Sequence, residues 1–506
     1  MNIKESFKNI SDSKFGIFSL YIILLILGLN FHEMWRDEYE EYLQARDSDG
    51  IFGLKNAMSQ GHAMLWQSCL WLITRFSHNP IWMKIFHGII ASAFAFVLLF
   101  KSPFKIWQAA MLLSGYFLLF EYAVISRCYA FGVLFFFVFA YFYSKQKKIT
   151  VQSSITIFFL ANTSVYAMML SVIICLWVFI SEKLFLFNKT EYKKYLWLIL
   201  SSIGILIAYL QIRPGEDNSF PVHRVILPFD NYRFQVAITQ FFSAFVPICK
   251  FQSKFFWNTN FMMDKMGIVS WYFPLAVFIF VTIPFIKKFK ILLLWLMGVV
   301  LILFFQYHTG FRFARYYGHF FIFWIVCYWL MLKFYNENLK LNNIIFSIIL
   351  ASQSIGGIMM YNADRVQKFS TGHDAALWLK KHGYSKHFMI ASVDFAMSPI
   401  AAELNRKIYY MQHKTLCSYT KWDKKRLNST YKSDIIEAIE EEKSNKPVIF
   451  IASHPIEYFD YFNKPYFKTK LYDNFIFEKY KVKKLVYFPP GIEYYERYWI
   501  FEITKI

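Results

Sequence analysis

The amino-acid sequence predicts a polytopic α-helical membrane protein with about 11 transmembrane helices and a C-terminal soluble α/β domain. Of the 506 residues, 57% are hydrophobic and 21% are aromatic. Apolar runs of membrane-spanning length recur along most of the first 360 residues, and the composition becomes that of a soluble domain after Tyr361. These observations divide the chain into a transmembrane domain, residues 1–360, and an α/β domain, residues 361–506.

The first apolar run follows a positively charged N-terminal segment. Lys4, Lys8 and Lys14 precede the run Phe15 to Leu29, a pattern that also begins secretory signal peptides. No small-x-small cleavage site follows, so we interpret the run as a retained first span. The predicted spans are residues 15–30, 81–100, 106–124, 130–144, 149–161, 165–180, 195–211, 270–286, 291–307, 319–332 and 341–360.

Lys and Arg accumulate in the short cytoplasmic loops of membrane proteins. The α/β domain then lies on the outer side of the membrane. Whether residues 63–76 cross the membrane stays open, because the segment is apolar but short; an interfacial or re-entrant helix keeps the Lys-rich loops on one side. The loops predicted to be cytoplasmic are residues 101–105, 145–148, 183–194, 287–290 and 333–340.

The external loop 31–80 holds the main candidate site, since acids, an Arg and aromatic residues crowd against a membrane boundary there. From Asp37 to Arg46, helical spacing places Tyr39, Tyr42 and Leu43 on one face, which predicts a short helix on the bilayer surface. Asp37 and Glu38 then open this helix at the mouth of a membrane cavity, where an ionised carboxylate can take a proton. Helix capping is the alternative role, and the two can coexist.

Two further clusters of charged residues lie at the outer ends of predicted spans. One is Glu121 with Arg127, where the alternatives are a cavity-facing charge and a structural ion pair. The other holds Arg312, Arg315 and His319. The planar Arg fork matches phosphate oxygens, although the same side chains can instead reach lipid headgroups.

The net charge of +21 does not predict binding to nucleic acid. Much of the excess lies in the predicted cytoplasmic loops and on the α/β domain, so anionic membrane lipid is the expected partner. The six Cys residues show no close paired spacing, which indicates neither a disulfide framework nor a zinc site.

Helix and strand patterns alternate after Tyr361. No glycine-rich phosphate loop or nucleotide fingerprint accompanies them. The predicted elements are a helix over 374–380, a strand over 387–391, a helix over 397–404, a strand over 407–411, a helix over 434–442 and a strand over 447–452.

Several strings in the first 180 residues carry a family resemblance. They are Met34-Trp35-Arg36-Asp37-Glu38, Ala45-Arg46-Asp47, Gly61-His62-Ala63-Met64-Leu65-Trp66 and Arg127-x-Tyr129-Ala130. The chain resembles bacterial membrane glycosyltransferases of the GT-C superfamily, the group that includes protein O-mannosyltransferase-like enzymes. Related sequences often have two prolines after the His of the Gly-His segment, where this chain has Ala63 and Met64.

The resemblance implies transfer of a sugar from a polyprenyl-phosphate donor to a glycan, lipid or protein acceptor at the outer face of the bacterial cytoplasmic membrane. Asp37 and Glu38 occupy the place of the superfamily's external acidic residue, a catalytic base or metal ligand. Asp37 is then expected to take the acceptor proton, with Glu38 orienting it or sharing a divalent cation with it. The expected substrate-binding residues are Arg36, His62, Glu121, Arg127, Tyr129, Arg312, Arg315 and His319.

Arg127, Arg312 and Arg315 are expected to stabilise the departing lipid phosphate. Two other functions stay open at this point. A transporter or flippase of lipid-linked sugars would also need acids and Arg beside a membrane cavity. A noncatalytic component of envelope assembly would use the α/β domain to bind a partner.

Overall fold

The computed structural model describes residues 3–57, 61–186, 191–219, 229–251, 254–265, 272–335, 340–428, 430, 432–442, 446–454, 474–477 and 479–506. Parts of two loops predicted to be cytoplasmic, 187–190 and 336–339, lie outside these residues, as does the start of the predicted span 270–286. The described chain is mostly helical and ends in a mixed β-sheet.

Helices account for nearly all of the described membrane part. A π-helical segment, Tyr116–Glu121, follows α6, and a 3-10 turn, Ile283–Phe285, follows α13. The helices are α1 (Ile3–Phe31), α2 (Arg36–Asp47), α3 (Gly50–Ala57), α4 (Leu65–Phe76), α5 (Ile81–Lys101), α6 (Ile106–Leu113), α7 (Tyr129–Gln146), α8 (Val151–Ala161), α9 (Val165–Ser181), α10 (Tyr192–Ile212), α11 (Asn231–Phe245), α12 (Phe261–Lys265), α13 (Tyr272–Thr282), α14 (Phe289–Thr309), α15 (Ala314–Tyr335) and α16 (Lys340–Val366).

Six of the described helices are long and apolar enough to cross a membrane: Ser13–Phe31 of α1, and α5, α10, α14, α15 and α16. The chain is therefore an integral membrane protein with several spans. The predicted number of 11 is not shown, because several predicted spans coincide with shorter helices. The 11-residue α8, for example, is roughly 17 Å long and does not by itself span a hydrocarbon core of about 30 Å.

The predicted span 106–124 is interrupted in the structure. α6 ends at Leu113, and Gly115 adopts an extended conformation before the π-helical segment begins. Helix α16 packs directly on this interruption, since a Cβ added to Gly357 would lie 2.2 Å from the carbonyl oxygen of Ser114. The break is thus stabilised by a close helix approach that only glycine permits.

The sequence predicted that α2 lies on the bilayer surface, and this prediction is wrong. Tyr39, Tyr42 and Leu43 are buried, because α2 packs against α4 on one side and against the C-terminal domain on the other. The 12-residue α4 covers the segment 63–76, which is also too short to cross a membrane as a regular helix. The aromatic face therefore stabilises an internal interface instead of contacting lipid.

The C-terminal domain (residues 367–506) follows the end of α16 at Val366, a few residues beyond the boundary predicted at Tyr361. The predicted helices and strands are all confirmed within two residues at their ends. Its elements are α17 (Gly372–Lys381), β1 (Met389–Ala391), α18 (Ser398–Glu403), β2 (Ile408–Tyr410), β3 (Thr415–Cys417), α19 (Lys432–Glu442), β4 (Val448–Ala452), β5 (Asn474–Phe477), β6 (Tyr480–Phe488) and β7 (Tyr498–Lys505).

The described strands form one sheet in the order β3-β2-β1-β4-β7-β6-β5. Strand β1 pairs in parallel with β2 and with β4, and the other pairings are antiparallel. The central β4 is buried along its whole length, as its continuous apolar sequence predicts. Helix α18, the loop after β3 and the loop before β7 carry residues that contact α2.

Candidate functional site

The candidate site is centred on Asp37 in the first turn of α2. Its Oδ2 atom lies 2.9 Å from Nη1 of Arg127 and 3.0 Å from Nη2 of Arg315. Nε of Arg36 lies 3.7 Å from the other carboxylate oxygen. Three arginines from separate parts of the chain therefore surround one carboxylate, whose side chain remains 21% exposed while that of Arg127 is only 2% exposed.

The Arg127 guanidinium group also contacts Glu41 and His62. Its Nη2 atom lies 3.0 Å from Oε1 of Glu41 and 3.3 Å from Nε2 of His62. Glu41 follows Asp37 by one helical turn, so both carboxylates reach the same guanidinium group. The geometry contradicts the structural alternative from the sequence, an ion pair between Glu121 and Arg127.

A cavity of about 250 Å³ opens beside Asp37. The membrane part contributes helix α2 and the start of α15, and the C-terminal domain contributes a second wall. The lining residues are Arg36, Asp37, Glu40, His62, Arg127, Phe311, Phe313, Arg315, Tyr316, Phe395, Thr420 and Trp422.

The cavity carries net positive charge at neutral pH. Burial alone would raise the pKa of Asp37, but the guanidinium groups of Arg315, Arg127 and Arg36 hold that pKa below its ordinary value. Burial raises the pKa of Glu40 to about 8, so this carboxyl is largely protonated at pH 7. Glu41 contacts Arg127 and Glu493 contacts Arg36 without lining the cavity, and burial raises the pKa of both carboxyl groups, that of Glu41 to about 7. Among the residues that line the cavity, the three arginines therefore outnumber the ionised carboxylates, which favours an anionic ligand.

Glu38 faces away from this cavity. Its Oε2 atom accepts hydrogen bonds from Nε2 of His32, at 2.9 Å, and from the backbone N–H of Trp35, at 3.1 Å. Its Oε1 atom accepts from the backbone N–H of Ser126 at 2.6 Å. Glu38, and not Asp37, thus satisfies a free N–H at the start of α2.

His32 joins Glu38 to the end of helix α16, since its Nδ1 atom lies 3.0 Å from Oδ2 of Asp364. We call these three residues, His32, Glu38 and Asp364, the buried junction. Burial alone would lower the pKa of His32, but the carboxylates of Asp364 and Glu38 raise it to about 10. Burial alone would raise the pKa of Glu38, but the charge and hydrogen bond of His32 outweigh burial and hold that pKa below its ordinary value.

The carboxylates of Asp37 and Glu38 do not converge, because neighbouring residues on a helix point about 100° apart. One faces arginines and the other faces the buried junction. They do not form the shared cation site considered from the sequence. Across the described residues, no group of three or more His, Cys, Asp or Glu side chains is arranged to hold a metal ion.

The remaining residues predicted to bind substrate are more dispersed. Glu121 accepts hydrogen bonds from Trp257 and Tyr116 away from the lining. Arg312 is exposed and contacts Tyr232.

Tyr129 and His319 are buried behind the cavity wall, with ring centroids 5.9 Å apart. His319 also stacks on Tyr166, at 5.0 Å. Neither Tyr129 nor His319 lines the cavity. Of the predicted site residues, Arg36, Asp37, His62, Arg127 and Arg315 are the ones that the structure brings together.

The C-terminal domain is bound tightly to α2 at the site. Glu40 accepts hydrogen bonds from the Ser398 hydroxyl and, at 2.8 Å, from the backbone N–H of Thr420. The backbone N–H of Arg36 donates to Glu496 Oε1 at 2.6 Å. The C-terminal domain is therefore part of the site and not a separate module beside it.

Sequence reasoning missed several residues of the site. Glu40 and Glu41 follow Asp37 at the i+3 and i+4 positions, and this helical spacing was a signal that both share its side of α2. Phe395, Thr420 and Trp422 carried no comparable local signal, because only the tertiary fold brings their loops to α2.

Comparisons with models of protein families, with curated proteins and with solved structures found no match to this chain.

Proposed function

We propose that this protein is a membrane glycosyltransferase of the GT-C type, which moves a sugar from a polyprenyl-phosphate donor to an acceptor at the outer face of the cytoplasmic membrane. The observation that carries the proposal is a carboxylate, Asp37, held against Arg127 and Arg315 in a positively charged cavity. This arrangement offers both groups that the reaction needs, an acceptor for a proton and a binding site for a phosphate.

The arginines have hydrogen-bond donors to spare. Nε and Nη1 of Arg315, Nε of Arg127 and Nη1 of Arg36 are buried and have no hydrogen-bond partner among the described residues. Buried donors without partners are costly, and a phosphate would satisfy several of them with charge-assisted bonds. Phosphate binding therefore explains donors that the protein alone leaves unpaired.

The membrane part also has apolar grooves that suit a lipid chain. Two grooves of about 280 and 440 Å³ share Phe234 and Leu303 and are lined almost entirely by apolar side chains of α11, α13 and α14. The second groove reaches His308, close in the chain to Phe311 of the cavity wall. We propose that these grooves hold the polyprenyl tail of the donor.

In the proposed reaction the acceptor hydroxyl oxygen attacks the anomeric carbon of the donor sugar. The bond between that carbon and the phosphate oxygen breaks, Asp37 takes the hydroxyl proton, and the lipid phosphate leaves with the bonding electron pair. Arg127 and Arg315 stabilise its negative charge. The low pKa of Asp37 keeps it ionised and able to accept a proton, although it also weakens the base.

Purified full-length protein in lipid nanodiscs tests the proposal directly. We expect it to consume a polyprenyl-phosphate-linked hexose and to release the polyprenyl phosphate, with glycosylated product when an acceptor is present. A transporter would move the lipid-linked sugar without cleaving it. Intact donor after prolonged incubation with candidate acceptors would therefore reject the enzymatic proposal.

Replacing Arg315 by Ala should impair use of the donor more than it impairs folding. Losing a desolvated charge-assisted contact costs about 1.5–3 kcal/mol, which corresponds to roughly a tenfold to hundredfold loss in donor affinity or rate. Donor kinetics of the purified variant measure this effect. Arg312→Ala is the matched control, because Arg312 lies three positions away, is exposed and does not line the cavity; equal losses in both variants would contradict the assignment.

The proposal requires that the C-terminal domain lies outside the cytoplasm. A Cys introduced at the exposed position Lys424 should react with a membrane-impermeant thiol reagent in intact cells, and one at Gln146, at the end of α7, should react only after lysis. Background labelling should be low, since five of the six native Cys residues are buried and Cys69 is partly buried. The reverse labelling pattern would place the C-terminal domain in the cytoplasm and contradict the proposal.

A further inference from the structure

The wall that the C-terminal domain adds to the cavity combines aromatic and hydrogen-bonding groups. We propose that Trp422 and Thr420, together with Glu40, form the acceptor subsite and that the acceptor is a carbohydrate. This inference rests on the proposed function, of which it names the second substrate. The three residues lie on the same cavity as Asp37.

The Trp422 ring is held in place by a chain of buried charged groups. The Arg426 guanidinium lies 4.2 Å from the centre of the indole ring. Arg426 in turn forms two hydrogen bonds to Asp394, at 2.7 and 2.8 Å, and His413 lies 3.3 Å from the same carboxylate. Because Arg426 packs against one face of the indole while the ring still lines the cavity, Trp422 offers a rigid apolar surface at low entropic cost.

Polar groups lie beside this surface. Thr420 is one of the residues that line the cavity, and its hydroxyl is buried and has no hydrogen-bond partner among the described residues. The Glu40 carboxyl is fixed by the Ser398 hydroxyl and by the backbone N–H of Thr420. A sugar ring has an apolar C–H face and a polar hydroxyl edge, so an indole face next to a hydroxyl and a carboxyl matches its chemistry.

The position of this wall assigns it to the acceptor and not to the donor. The arginines that would bind the donor phosphate, and the apolar grooves that would hold its lipid, belong to the membrane part. Trp422 and Thr420 belong to the C-terminal domain and line neither of these grooves. A lipid acceptor would need an apolar path in the C-terminal domain, whereas Trp422, Thr420 and Glu40 suit a sugar ring.

Thr420→Val tests the hydroxyl of the subsite, and Trp422→Ala tests its indole ring. Valine keeps the size and the backbone N–H that Glu40 needs, so it removes only the hydroxyl. We expect each variant to raise the KM for a labelled oligosaccharide acceptor about tenfold and to change the KM for the donor much less. Trp422→Phe should restore much of the loss. Trp378→Ala is the control, because Trp378 stacks on His382 and Tyr384 of the same domain away from the cavity.

A panel of fluorescent hexose and N-acetylhexosamine oligosaccharides, a peptide mixture and a phospholipid serve as acceptor probes. Unchanged oligosaccharide KM in Thr420→Val and in a folded Trp422→Ala, or transfer only to peptide or phospholipid, would overturn the subsite. If wild-type protein leaves the donor intact, the proposed function fails. Direct binding of the same oligosaccharides then tests the subsite independently of turnover. Binding that Trp422→Ala and Thr420→Val weaken upholds it, and no binding, or equal binding, rejects it.

Discussion

Asp37→Asn is expected to lower the rate of sugar transfer by about a hundredfold to ten-thousandfold, the usual effect of losing a general base. Asparagine keeps the size of the side chain and can still accept a hydrogen bond from an arginine. It cannot take the proton of the acceptor hydroxyl. Turnover of the lipid-linked donor by the purified variant, with its unfolding temperature measured in parallel, checks the expectation.

The structure makes this substitution easier to interpret than the sequence did. Asp37 does not cap α2, since Glu38 makes the hydrogen bond to the backbone N–H of Trp35. A loss of activity in Asp37→Asn therefore does not arise from a lost helix cap. Full turnover by Asp37→Asn would remove the proposed base and, with it, the main support for the enzymatic proposal.

Glu38→Gln should have the opposite effect, a large loss of stability with turnover preserved in the protein that remains folded. Removing one partner of a buried ion pair costs roughly 3 kcal/mol or more, because the other charge stays buried. His32 would keep Asp364 as its only charged partner within the buried junction. The unfolding temperature of the detergent-solubilised variant, compared with that of Asp37→Asn, measures the difference.

The pH dependence of stability gives a second test of the buried junction. The pKa of His32 is raised from 6.5 to about 10 in the folded protein, so its contribution is complete below pH 6.5 and is lost as the pH rises towards 10. The pKa of Glu38 is lowered, so its contribution is lost in acid. The unfolding temperature of the wild-type protein should therefore fall between pH 6.5 and 10, and that of His32→Gln should fall less over the same range. Identical pH profiles would show that His32 is not charged in the folded state.

The C-terminal domain shows what sequence patterns predict well. Strands β1, β2 and β4 and helices α17, α18 and α19 were all predicted, because each is a short local pattern of apolar or amphipathic residues. Strands β3, β5, β6 and β7 were not predicted. The first six residues of β6 are Tyr480-Lys481-Val482-Lys483-Lys484-Leu485, whose high charge obscures the alternation that places Tyr480 and Val482 in the core.

The membrane part shows where local patterns fail. The apolar residues 106–124 resemble a continuous span, yet the helix breaks at Gly115 because a distant glycine, Gly357, lets α16 approach. The same limit applies to the site. Arg312 and Arg315 are equivalent in sequence, but the structure turns only Arg315 towards Asp37.

The contact between Arg36 and Glu496 joins residues that are 460 positions apart. Ordering two such distant segments against each other has a high loop-closure cost, and the contact cannot form before the ribosome has synthesised the chain through Glu496. The cavity wall that the C-terminal domain supplies is therefore absent until this domain has folded against α2. Assembly of the binding site thus depends on the folding of a domain that lies outside the membrane helices.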